Sequence, residues 1–341
     1  MPGPEELESR LAEARRNDDA DALAKALTEH ADVLVRAGQM DRARAELDEA
    51  AAIHRAKGRV YDEARSTHLA ATLARLTGDI DGARQRAEHA LKLAEPGTPI
   101  AVSALTELAE IASARRDWAT AAELYGKALE QGRTAGLIPS AQSALLRKRA
   151  GALSAVSRFS EAAADLTSAR QLLLDAHDDA TALRTAIELA TALQYAGDVL
   201  RSEQVQREAM EQARATSDHH ALADLYLLDT ARKVAARDVD GALASARSAR
   251  ADSLEAVAPV SYISAALAIS ELANSQADHL GAYEALATGW ATLSDLMGRE
   301  AAKGVFEPKL RALREQWGAD EFARVKQAYE QQRLQKLSGR N

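Results

Sequence analysis

Apolar residues return along this chain with the rhythm of a helix. Leu23, Leu27 and Leu34 stand four and seven residues apart, and Leu47, Ala50 and Ile53 follow three residues apart. Such spacing places each set on one face of an α-helix. Between the two sets lies a polar phrase, Gly38-Gln-Met-Asp-Arg-Ala43, and variants of it begin again at Gly78, Arg116, Ser157, Gly197, Arg237 and Ala277, after steps of 40, 38, 41, 40, 40 and 40 residues. The pattern predicts a unit of helix A, turn, helix B, repeated seven times. Gly38, Gly78 and Gly197 occupy the left-handed position that closes a helix, and an Asp or Ser within the next three residues can cap the helix that follows. Longer connections are expected between units, at Glu95–Pro99 and Gly136–Ser140, where Pro suits a helix start. A unit of this size cannot bury its apolar face alone, so neighbours must stack.

Three registers of small residues sharpen the picture. Seven residues before each phrase stand Ala31, Ala71, Ala109, Ala150, Ala190, Thr230 and Ser270. Early in helix B stand Ala43, Ala83, Ala121, Ala162, Ser202, Ala242 and Ala282, and seven residues further on Ala50, Ala90, Ala128, Ala169, Ala209, Ala249 and Gly289. Helices that cross closely need small side chains where they touch. In these registers the chain resembles the tetratricopeptide repeat family, over residues 18–298. Its period exceeds the family's usual length, the family's helix-A Trp and Tyr are mostly replaced by Leu, Ala or Thr, and the repeat-ending Pro is missing. In this it resembles the extended repeats of kinesin light chains and of bacterial peptide-sensing regulators. The resemblance implies an all-α fold, a right-handed α-solenoid of antiparallel helix pairs, with residues 1–17 as a frayed helix or cap and 299–341 as a degenerate eighth pair and basic cap. Arg299–Trp317 and Ala319–Leu337 are the expected helices of that pair, broken by Pro308.

The resemblance also implies that helix A lines a concave groove. The groove positions by register include Lys25, Arg65, His68, Arg75, Arg147 and Arg184 in repeats 1 to 5, and Ile187, Gln194, Leu227 and Leu267 in repeats 5 to 7. A protein or peptide partner with acidic residues at one end and an apolar anchor at the other would match this grading; cationic side chains that merely solvate a wide groove are the other reading. The family's Lys/Asn carboxylate clamp is missing. Arg149, Asp229 and Lys233 fall where helix A packs, which a small rotation of the longer helices would explain, a buried polar cluster being the alternative. Asp229 and Lys233, four residues apart, can neutralise each other. A secondary docking surface is expected at Phe306, Trp317, Phe322 and Tyr329, whose rings either cap the core or dock a partner, including a second copy of the chain.

The function implied is a non-catalytic interaction scaffold or adaptor, with a regulatory sensor of a signalling peptide or small molecule as the alternative. With 47% hydrophobic but only 4% aromatic residues, the core is built from Ala, Leu, Val and Ile. Without Cys there is neither a disulfide framework nor a thiolate site. No cofactor or metal is expected: His177-Asp178-Asp179 and Asp218-His-His-Ala-Leu-Ala-Asp224 lack a second ligand set and read as ordinary helix starts, and no P-loop, Gly-x-Ser-x-Gly or HExxH motif occurs. A net charge of −8 weighs against nucleic acid, although residues 299–341 carry ten Lys/Arg against six Asp/Glu. An acidic N-terminus without a signal-peptide pattern, and no apolar run of membrane-spanning length, suggest a cytoplasmic protein.

Overall fold

A computed structural model describes residues 4–338, and among them the chain is helical throughout, with no strand. The chain divides into two compact units, 1–185 and 186–341. Unit 1 holds α1 (Pro4–Arg16), α2 (Ala20–Arg36), α3 (Met40–Ala56), α4 (Val60–Leu76), α5 (Ile80–Leu93), α6 (Pro99–Ala114), α7 (Trp118–Ala135), α8 (Pro139–Ala155), α9 (Phe159–Asp175) and the start of α10 (Asp179–Tyr195). Unit 2 holds the rest of α10, α11 (Val199–Ala215), α12 (His219–Ala235), α13 (Val239–Glu255), α14 (Pro259–Ser275), α15 (His279–Met297), α16 (Arg299–Trp317) and α17 (Ala319–Ser338). Even-numbered helices from α2 to α14 are the A helices and their odd-numbered successors the B helices. Successive helices from α1 to α9 in unit 1 and from α11 to α17 in unit 2 pack on one another, and the A helices α4 and α6, and α12 and α14, also touch across repeats.

The small-residue registers explain this packing. All 21 positions are buried, most of them completely, including Ala43, Ala83, Ala121 and Ala162 in unit 1 and Ala242 and Ala282 in unit 2. A methyl-sized side chain at each crossing lets two backbones approach while Leu and Ile fill the space on either side, as Leu34, Leu47 and Leu73 do around Ala31 and Ala70. At the N-terminal end Leu7, Leu11 and Ala14 of α1 are buried, and Leu11 joins Ala26, Leu27 and Ala50.

The turns differ from the expectation of short A–B turns and longer B–A connections. One three-residue connection serves both. A residue with positive φ closes a helix, and the next residue donates its N–H to the carbonyl five residues back, as Gln39 does to Leu34 and Asp218 to Ala213. In many turns that second residue is an Asp that caps the next helix, for example Asp79 accepting from the Gly82 N–H and Asp238 from the Gly241 N–H. From Arg116 to Gly318 the left-handed residue recurs at steps of 20 or 21 residues, half the sequence period. Only the α5–α6 connection, Ala94–Thr98, is longer. The half-period escapes the sequence because seven of these left-handed residues are not glycine, among them the β-branched Val257 at φ 51°.

In unit 2, α16 runs unbroken from Arg299 to Trp317 through Pro308, contrary to the expected break. Its neighbours hold it. Phe306 is fully buried in a cluster with Ala266, Leu286 and Leu293, against which Trp317 and Phe322 pack. Phe306 is therefore core and not a docking side chain, because no surface of it reaches solvent. The other rings turn on one another: Trp317 stacks on His279 at 4.4 Å and donates its indole N–H to Asn274, while Tyr283 meets Phe322 and Tyr329 edge-on at 5.5 and 5.4 Å.

Candidate functional site

Three consecutive A helices of unit 1 frame one cleft of ≈ 380 Å³. From α4 come His68, Thr72 and Arg75, from α6 Ser103, Thr106, Glu107 and Glu110, and from α8 Ala144, Leu145 and Lys148, with Leu137 closing the end. Each helix contributes a stripe flanking its alanine register, so the same period that packs the core also turns these side chains together. Two of the sequence-selected residues, His68 and Arg75, line this cleft.

The charges in the cleft are already paired. Glu107, buried on α6, accepts Arg75 Nε at 2.6 Å and Arg75 Nη2 at 3.4 Å, together with the Thr72 hydroxyl at 3.1 Å. Burial disfavours the Arg75 charge, but Glu107 outweighs it and raises the Arg75 pKa. Glu110 accepts hydrogen bonds from the Tyr125 hydroxyl at 2.9 Å and from Lys148. Burial raises its pKa, yet these two bonds prevail and hold it below the ordinary carboxylate value. Tyr125 is correspondingly pushed up by burial and by Glu110. The cleft is thus balanced, two cations against two carboxylates, where the sequence suggested an excess of positive charge. Glu107 and Lys148 escaped the sequence analysis because both stand nine residues before a phrase, one position beside the stripe considered.

Against this satisfied set, His68 stands out. Its Nδ1 is buried without a hydrogen-bond partner. Burial lowers its pKa, only partly opposed by Glu107, so the imidazole is neutral at neutral pH. The Ser103 hydroxyl beside it also lacks a partner among the described residues.

The remaining candidates lie elsewhere. Lys25 and Arg65 are exposed on a second cleft of ≈ 640 Å³ between α2 and α4, lined also by Asp21, Glu29, Arg59 and Asp62. There Arg59 pairs with Asp21 at 3.0 Å and Lys25 with Glu29 at 4.0 Å. Arg147 is half-buried on α8, and Arg184 is exposed near the end of unit 1, 3.4 Å from the Thr181 hydroxyl. In unit 2, Ile187, Gln194, Leu227 and Leu267 are half-buried, Leu267 packing against the Phe306 cluster. The Gln194 side-chain oxygen has no hydrogen-bond partner.

The charged residues at packing positions are not explained by helix rotation. Arg149 reaches across to Asp165 on α9, and Asp229, buried on α12, accepts from Ser245, Arg232 and Lys233, the last at 2.9 Å. A buried ion needs its lone pairs filled, and these are. The His-Asp segments behave as helix starts: Asp178 caps Thr181, Asp218 caps Ala221, and His219 meets Asp252 at 2.8 Å. Among the described residues no group of three or more His, Cys, Asp or Glu is placed to hold a metal ion, and no helix is long and apolar enough to cross a membrane.

No protein-family model and no curated protein matches the sequence. Solved structures do resemble the fold. BtubC (BKLC) from P. vanneervenii is 22% identical with a TM-score of 0.54, over 63% of this chain and 91% of its own. RapI in its apo form is 11% identical with a TM-score of 0.55, over 84% of this chain and 99% of its own. A signal-transduction ATPase with a tetratricopeptide repeat sensor from Pyrococcus horikoshii is 13% identical with a TM-score of 0.60; the match covers 89% of this chain and 46% of that protein. At such identities the likeness establishes the fold: each unit is built of tetratricopeptide-like helix pairs stacked as in a right-handed α-solenoid.

Proposed function

We propose that the chain is a non-catalytic interaction module whose unit 1 holds a segment of a partner protein in the cleft framed by α4, α6 and α8. One observation carries this reading: three successive A helices present the same stripe to one cleft, over an alanine-packed core that leaves little freedom to rearrange. A wall formed before the partner arrives spares the cost of ordering it on binding. The P. horikoshii relative carries its tetratricopeptide array as a sensor, which supports recognition as the role of the fold. Because Arg75 and Lys148 are held by Glu107 and Glu110, affinity rests on the shape and apolar surface of the cleft more than on steering by free cations.

Ala144 is exposed on the α8 wall and lines the cleft, so Ala144→Trp fills the cleft without disturbing the core. Peptides selected from a randomised library on the full chain should bind the wild type and lose at least tenfold in affinity on Ala144→Trp, with unchanged helical circular dichroism. Binding indifferent to that substitution would remove the α4–α6–α8 cleft from consideration.

A further inference from the structure

We propose that unit 2 carries a docking surface of its own, on the edge where α13 turns into α14 and α15 ends, and that it takes an aliphatic segment of a partner protein flanked by Lys or Arg.

The first observation concerns one residue. Val257, between α13 and α14, is held at φ 51°, a conformation that a β-branched side chain adopts only with strain, and 63% of it is exposed. The next turn of this kind is closed by Gly298 without strain, and the preceding one presents Thr216, Ser217 and Asp218, polar side chains that water satisfies. Val257 is unfavourable on both counts, since it strains the backbone and gains no burial within the chain. Strain that persists without a packing reward marks a place where function is to be sought.

Its neighbours are apolar as well. The Val257 N–H donates to the Leu254 carbonyl at 3.1 Å, so Leu254, also exposed, belongs to the same tight turn, and Val260, 77% exposed, stands in the first turn of α14. Two more side chains come from α15. A Cβ on Gly289 would lie 3.3 Å from the Ala266 methyl, which sets these antiparallel helices level at that point; six residues along each, about 9 Å, bring Val260 level with Asp295. α15 runs on to Met297, so the exposed Leu296 and Met297 end beside Val260. Exposed apolar side chains scattered singly call for no account, but five gathered on one edge do.

Charge indicates what covers them. Asp252 and Glu255 lie in the last turn of α13, Asp295 near the end of α15 and Glu300 at the start of α16, while Asp224 of α12 reaches α14 by accepting the Ser261 hydroxyl at 2.8 Å. Against these five carboxylates stand Arg250, Arg299 and Lys303. Glu255, Asp295 and Glu300 are exposed and take part in no ion pair among the described residues. The excess of negative charge repels an acidic segment, an anionic lipid surface and the same edge of a second copy, and it attracts Lys and Arg. Aliphatic residues between basic ones would therefore satisfy both the apolar centre and the acidic rim.

The test selects peptides on the full chain from a randomised library and titrates the synthesised peptides by isothermal calorimetry. Those that lose at least tenfold in affinity on Val260→Gln with Met297→Gln should combine aliphatic residues with flanking Lys or Arg, and should bind Ala144→Trp as tightly as wild type, which separates this surface from the cleft of unit 1. Glu255→Lys with Asp295→Lys should weaken the same peptides about 3- to 10-fold at low salt and less at high salt, where exposed charges are screened. Val257→Gly should weaken binding while raising the urea midpoint, because it removes apolar surface and strain together; helical circular dichroism shows that each variant is folded. Peptides dependent on this edge but lacking basic residues, or indifferent to Glu255→Lys with Asp295→Lys, would overturn the chemistry assigned to the partner. Selection that yields no peptide sensitive to Val260→Gln with Met297→Gln, or sedimentation showing a self-associated chain that the same pair of changes returns to monomer, would overturn the docking of a partner here.

Discussion

Gly289→Ala adds one methyl group to the middle of α15, and in most helices that change stabilises by about 0.5–1 kcal/mol. Here the new Cβ would lie 2.8 Å from two ring carbons of Phe306 and 3.3 Å from the Ala266 methyl. The corresponding residues of the earlier repeats, from Ala50 to Ala249, carry that methyl without difficulty; at Gly289 the Phe306 ring already fills the space. Overpacking of this kind costs about 1–3 kcal/mol, so the substitution should destabilise the chain by about 0.5–2 kcal/mol. Phe306→Leu removes the obstacle and creates space of its own, lowering stability as a single change. In the Phe306→Leu background Gly289→Ala should therefore turn stabilising, a coupling of about 1–3 kcal/mol. Urea titration followed by tryptophan fluorescence reports on the right region, since Trp290 and Trp317 both pack against the Phe306 cluster. Stabilisation of the wild type by Gly289→Ala, or an equal effect in both backgrounds, would refute the packing argument.

Three further outcomes are expected. Glu107→Leu leaves Arg75 without its carboxylate at the cleft and Thr72 with only the His68 carbonyl, and should cost about 2–4 kcal/mol in urea denaturation, less than the full penalty of a broken buried pair because Arg75 retains some access to water; Arg75→Leu in the same chain should recover part of the loss. Arg237 sits exposed at φ 60°, so Arg237→Gly should raise stability by about 0.5–1 kcal/mol, seen as a higher denaturation midpoint. Acid should destabilise in two stages, measured as stability against pH. His68, whose folded pKa lies below its ordinary 6.5, is protonated sooner in the unfolded chain, so stability falls as pH drops below about 6.5, and His68→Leu should flatten that stage. Asp229 is lowered from 3.8, because hydrogen bonds from Ser245, Lys233 and Arg232 overcome the opposing effect of burial; its contribution is complete above that value and is lost as pH falls through the folded pKa. Asp229→Asn should therefore weaken the second stage while lowering stability at neutral pH.

The alanine registers, the helix pairs and the left-handed ends of the A helices at Gly38, Gly78 and Gly197 are legible along the chain. Helical periodicity is a local property, and a position that must be small at every crossing repeats with the unit. The sequence alone could not show that the B–A turns copy the A–B turns, since His177, Ser217 and Val257 adopt with strain a conformation that glycine adopts freely. Nor could it show the state of the groove cations. Arg75 and Glu107, or Lys148 and Glu110, are 32 and 38 residues apart, and whether they neutralise each other depends on how far apart two helices pack. For the same reason Phe306 reads as cap or as docking group until the space over Gly289 is known. Spacing along one helix determines which side chains share a face; only the packing of one helix on the next determines which of them meet, and so whether a charge is left for a partner.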